Sequence, residues 1–164
     1  METKSSWYGL RLKPKDMKPK IKNIYALINS SQVIAVENNL GITLPVDYKH
    51  FLIETNGGEP LYHLVKTISG GEEAVGWFLG IHGASGSLLS IYQQYSRHLP
   101  KGALPIAVDP FGNLFCIATD KFNYGKIFFW QHESTPQTHL SIKDSNCVLV
   151  APDFEYFVNS FIEN

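Results

Sequence analysis

The residue types that could hold a metal or carry out catalysis are thinly spread in this chain. Six histidines stand at His50, His63, His82, His98, His132 and His139, and two cysteines at Cys116 and Cys147. A helix-borne metal pair needs ligands one turn apart, and a thiolate site needs paired cysteines. No two histidines are four residues apart, and neither HExxH nor CxxC occurs. His132 and Glu133 are adjacent and point to opposite faces of a strand end, so they cannot share one ion. The run Gly83-Ala84-Ser85-Gly86-Ser87 comes near a nucleophile elbow, but the elbow needs glycine where Ser87 stands. Capping of a helix by Ser85 or Ser87 accounts for it better. No glycine-rich phosphate loop of either common type is present. The pattern therefore predicts no catalytic residues, no metal and no cofactor.

What remains is charge. The whole chain carries −1, yet residues 1–22 hold seven Lys/Arg and two Asp/Glu, a net +5. Residues 23–164 hold seven Lys/Arg and thirteen Asp/Glu, a net −6. An acidic body argues against direct nucleic-acid binding, which needs a basic footprint. It suits a basic protein partner instead. Glu59, Glu72, Glu73, Asp109 and Asp120 fall in expected loops and turns, where charge is free to meet such a partner.

Composition bounds the elements that must position these groups. The chain has 164 residues, 44% of them apolar and 13% aromatic, enough for one domain with its own core. No apolar run approaches the roughly 18 residues of a membrane span, and residues 1–22 lack the apolar stretch of a signal peptide. Cys116 and Cys147 lie within expected strands and read as two buried thiols of a reducing compartment. These features predict a cytoplasmic protein with no membrane contact.

Residues 1–22 read as a basic leader: a short strand at Trp7–Leu12, then a Pro- and Lys-rich loop. The domain proper is expected over 23–164. Ile21, Ile24, Tyr25 and Ile28 have the spacing of one helical face, which predicts a helix from about Pro19. Further helices are expected at Gln32–Leu40 with Ser31 as N-cap, at Val46–Thr55 and at Ser87–Tyr95. A closing helix follows Pro152, with Phe154, Phe157, Val158 and Phe161 inward. Strands are expected at Leu61–Ile68, Ala74–Ile81, Leu104–Val108, Leu114–Thr119, Lys126–Trp130 and Cys147–Val150. Hairpin-length connections make the sheet mostly antiparallel. The expected architecture is α+β: a single domain with a bent, mostly antiparallel sheet and about five helices around it.

One stretch is more specific. Glu37, Leu40-Gly41, Leu44-Pro45, Tyr48-Lys49-His50-Phe51-Leu52 and Asn56-Gly57-Gly58 occur in that order. Leu104 to Asp109, Gly112-Asn113, Cys116, then Lys126 to Trp130 with His132-Glu133, then Ala151 to Phe161 follow. This series resembles the SUKH (Smi/Knr-like) superfamily over roughly residues 30–162. The leader is not part of that pattern, and Leu61 to Gly83 matches it loosely. Most motif residues have structural explanations: Leu44-Pro45 ends one segment and opens the next, and the glycines permit tight exits. Glu37 is expected to cap a backbone group or pair with a cation.

The resemblance implies an α+β fold without a shared catalytic set. It also implies, for bacterial members, immunity proteins that bind and neutralise a cognate toxin, often a nuclease. Fungal members act as regulatory binding proteins. Three functions follow as expectations: an immunity protein occluding a cognate toxin domain, a regulatory scaffold with another protein partner, or a small α+β enzyme.

Overall fold

The computed structural model describes residues 20–134, 141–142 and 146–163. The strand expected at Trp7–Leu12 and the loop after it lie outside the described residues, apart from Lys20.

Two short helices open the domain, each stopped by its own local chemistry. Helix α1 spans Ser30–Leu40. Its N-cap is Asn29, one turn ahead of Gln32, and the two side chains cap each other's backbone amides at 3.1 and 3.0 Å. This reciprocal box, rather than Ser31, starts the helix. Gly41, at φ 65°, ends it in the left-handed conformation that glycine adopts without strain. Helix α2 spans Val46–Thr55, buries Tyr48, Phe51 and Leu52, and ends at Asn56 with φ 50°.

The strands, one before these helices and the rest after them, build three antiparallel sheets. Strand β1 (Ile21–Lys22) pairs with β2 (Glu59–Pro60). Strands β3 (Leu64–Lys66) and β4 (Glu72–Ala74) form a hairpin, and β10 (Phe161–Ile162) adds to the free side of β3. The main sheet is a meander of β5 (Trp77–Phe78), β6 (Ala103–Val108), β7 (Leu114–Ala118), β8 (Ile127–Trp130) and β9 (Cys147–Ala151). Strands β6, β7 and β8 are buried along their whole length. Continuous apolar runs replace alternation there because both sheet faces are covered. Helix α3 (Leu88–Tyr95), capped by Ser87, packs on β6, and α4 (Phe154–Asn159), capped by Asp153, packs on α2 and β9. Aromatic rings join these layers: Tyr48 to Phe154 at 5.0 Å, Phe51 to Phe78 at 4.9 Å and Phe115 to Phe157 at 5.5 Å. Offset and edge-on ring pairs of this kind add to simple burial.

The α+β architecture and the antiparallel meander are as the sequence predicts. The described residues form four α-helices, where about five are expected. The helix expected from Pro19 is replaced by β1 and an irregular segment, because Ile21–Lys22 finds a long-range strand partner. The single strand expected at Ala74–Ile81 is interrupted at Gly76, which turns from β3 to donate to the Val108 carbonyl at 2.7 Å. Phe161 belongs to β10 rather than to the last helix.

Candidate partner-binding face

Glu37 and the residues around it form an internal brace. Its Oε1 accepts the Leu44 backbone N–H and the Lys49 Nζ, each at 2.8 Å. One carboxylate thus ties α1, the Leu44-Pro45 corner and α2 together. Burial pushes the Glu37 pKa up, but the Lys49 hydrogen bond, the Leu44 N–H and the Lys49 charge together hold it below the usual carboxylate value. Asn56 is a second brace, 1% exposed, with its amide bonded to the carbonyls of Ala26 and Ile81 and its Oδ1 to the Ile81 N–H. Gly57, at φ 73°, lies so close to the neighbouring chain that a Cβ there would sit 2.6 Å from the Leu79 carbonyl. These motif residues are occupied in holding the fold.

The acidic residues expected to meet a partner have diverse settings. Asp109 is 5% exposed. Its Oδ1 accepts the N–H groups of Phe111 and Asn113, and its Oδ2 accepts the Asn113 side chain. It builds the β6–β7 turn from inside and is not an open loop charge. Asp120 does similar work in the β7–β8 turn, accepting from Phe122, Asn123 and the Asn123 side chain. That turn lies at the far end of β7 from Asp109. Glu72 and Glu73 stand on β4 rather than in the turn before it. Glu59 is exposed on β2, with Oε1 3.8 Å from His63 Nε2.

Glu73 lies near Asp109 and Glu59 lines two grooves, whereas Glu72, next to Glu73 on β4, faces the other way beside Lys66. Glu73 is half-buried, and burial first and the Asp109 charge second raise its pKa. Gly76, against the backbone of Val108 and Asp109, leads into Trp77. Trp77 lines one groove with Ile24, Tyr25, Glu59 and Gly76. An adjoining groove runs along Lys20, Ile21, Lys22, Glu59, Pro60, Leu61 and His63. His63 is held there by its Nδ1, which donates to the Val75 carbonyl at 2.8 Å. Ile24, Leu61 and Trp77 are exposed on this side, and Phe111 projects from the Asp109 turn with 84% of its surface in solvent. Carboxylates thus alternate with large apolar groups, the mixture that marks protein-binding surfaces. The aromatic and aliphatic members of the face are not evident from sequence, where Ile24 reads as helix core. Phe111 alone carried a signal, as a large apolar residue in mid-turn.

Other chemistry is sparse. Among the described residues no three His, Cys, Asp or Glu side chains gather to hold a metal ion, and no helix is long and apolar enough to cross a membrane. Cys116 is buried, which pushes its thiol well above the usual range, and Cys147 is half-buried. Strand β8 lies between them.

The braces coincide with the motif series, and comparison with known proteins decides its meaning. The sequence profile of the SMI1 / KNR4 family (SUKH-1) matches residues 27–160. The chain belongs to the SMI1 / KNR4 family. It is also 31% identical over 158 residues to the SPbeta prophage-derived uncharacterized protein YokK of Bacillus subtilis (strain 168), covering 85% of this chain and 78% of the relative. This SUKH-1 membership, with a prophage-derived relative, fits a family of immunity proteins. The SUKH-1 match begins after β1.

Proposed function

We propose that this SUKH-1 chain is an immunity protein that captures a basic toxin domain, plausibly a nuclease, stoichiometrically and without catalysis. The observation that carries this reading is the groove where Glu59 lies beside the exposed Trp77 and Ile24, with Glu73 near Asp109 in the turn that bears the exposed Phe111. Nucleases need positive potential for their own substrate, so an acidic inhibitor is steered to the surface it must block. SUKH-1 membership and the prophage origin of a relative support the same reading.

Co-expression with the neighbouring gene product tests it. Cells producing that product alone should stop growing, and cells that also produce this chain should grow, with a one-to-one complex recoverable. Growth arrest that persists despite abundant folded chain, with no complex formed, would sink the proposal. It would favour the regulatory scaffold instead.

A further inference from the structure

Strand β4 is bonded along one edge and open along the other. Thr67 donates its N–H to the Gly71 carbonyl at 2.9 Å, and Val75 donates to the His63 carbonyl at 2.7 Å. The odd-numbered residues of this hairpin therefore carry its cross-strand bonds, and the N–H and C=O groups of Glu72 and Ala74 point away from β3. Among the described residues β4 pairs with β3 alone. The open edge ends at Gly76, whose N–H donates to the Val108 carbonyl beside the turn that bears Phe111. At its other end Gly70 and Gly71 are exposed, and a Cβ at Gly70 would meet nothing within 4 Å.

We propose that this edge accepts a short extended segment of a basic protein partner as an added strand. Open backbone donors and acceptors supply the attachment, and charge selects the occupant. A strand laid on β4 points its side chains alternately to the two sheet faces. Glu72 and Glu73 stand on opposite faces, so a segment with Lys or Arg at neighbouring positions meets a carboxylate on each. Lys66 lies across from Glu72, so the stronger demand is on the Glu73 face. There burial and the Asp109 charge both raise the Glu73 pKa, as expected of a carboxylate short of a cation. A second copy of this chain would bring the same two acids to the edge, and like charges across a strand pair repel. Naming the partner as the toxin rests on the immunity reading; the chemistry of the edge does not.

The probe is a capped peptide of alternating Lys and Val, added to the full chain at low salt, with amide exchange followed residue by residue by NMR. Near saturation the amides of Glu72 and Ala74 should exchange about tenfold slower. Glu73, whose N–H points to β3, should change little. A peptide of alternating Glu and Val should leave all three unchanged. Ala74→Pro removes one outward N–H without touching the bonds to β3, and Glu72→Lys reverses one exposed charge. Each should weaken binding at least about fivefold with cooperative unfolding retained. Equal slowing by both peptides, no slowing, slowing spread over the domain, or binding indifferent to both substitutions would overturn the proposal. So would protection of the same two amides without peptide, in a dimer seen by sedimentation. Growth rescue is read separately: rescue with an unprotected edge rejects strand addition alone, and failed rescue with a protected edge rejects only the toxin as its partner.

Discussion

At the scale of single residues, the motif is explained by what each side chain holds. Glu37 joins two helices and a backbone corner through one oxygen atom. Removing it leaves the Leu44 N–H and the Lys49 ammonium without their acceptor. Glu37→Ala should therefore cost about 1–3 kcal/mol, measured by urea unfolding. Glu37→Gln, which keeps an acceptor but loses the charge, should cost less. The native carboxylate is held below its ordinary value of 4.5, so its contribution is present above that pH and lost as the pH falls through the lower folded value. The Gln variant should lose that part of the acid sensitivity. An equal cost and an unchanged acid slope in both variants would show that Glu37 merely fills space. The same residue marks how far sequence reasoning reached. Glu37 is legible as a capping or pairing carboxylate because helix position and residue type are local. That Asp109 faces inward is not, because an acid between two strands reads as an open turn until its three donors are seen.

At the scale of elements, helices α1, α2 and α3 were legible because caps and stops are written within a few residues of each other. The segment before α1 was not, since Ile21, Ile24, Tyr25 and Ile28 satisfy a helical period while Glu59–Pro60 supplies a distant strand partner. In place of a helix the chain uses a latch. The His82 ring stacks on Tyr25 at 4.0 Å, and His82 Nδ1 accepts the Ala84 N–H at 3.2 Å. Its Nε2 is buried without a partner. Protonation at Nδ1 would break the Ala84 bond and bury a charge, and burial lowers the His82 pKa below 6.5. The neutral ring is therefore the folded form, and the latch is fully effective above about 6.5 and weakens as the pH falls below it. Unfolding free energy should decline as the pH falls below about 6.5, and His82→Gln should flatten that decline. An identical pH profile in parent and variant would show that the latch does not titrate.

At the scale of the whole molecule, braces and face are separate parts. Glu37 and Lys49 join α1 to α2, while the face is built on β2, β4, β5 and the β6–β7 turn. The architecture and the family were readable from sequence, because both rest on ordered local motifs. The face was readable only as charge, because its apolar members, Ile24, Leu61, Trp77 and Phe111, come from separate segments of the chain. Reversing Glu72 and Glu73 to Lys together should slow partner association about tenfold at low salt, with a smaller change at high salt, in stopped-flow or surface-binding kinetics. Glu73→Gln alone should raise stability slightly while weakening capture, since it removes a half-buried carboxylate beside Asp109. Unchanged association rates in the double variant would remove β4 from the interface.

Strand β10 carries a consequence for how the molecule is made. It is the last described element, and it supplies the second neighbour of β3, through Phe161↔Val65 and Ile162↔Leu64. During synthesis the β3–β4 hairpin that bears Glu72 and Glu73 must wait for β10, far along the chain, before its sheet is complete. At about 5–20 residues per second, some hundred residues separate the hairpin's emergence from its closure, an interval of several seconds or more. Until Phe161 and Ile162 are made, a growing chain therefore carries β3 with one edge unpaired, a stretch of backbone that must be kept from wrong partners.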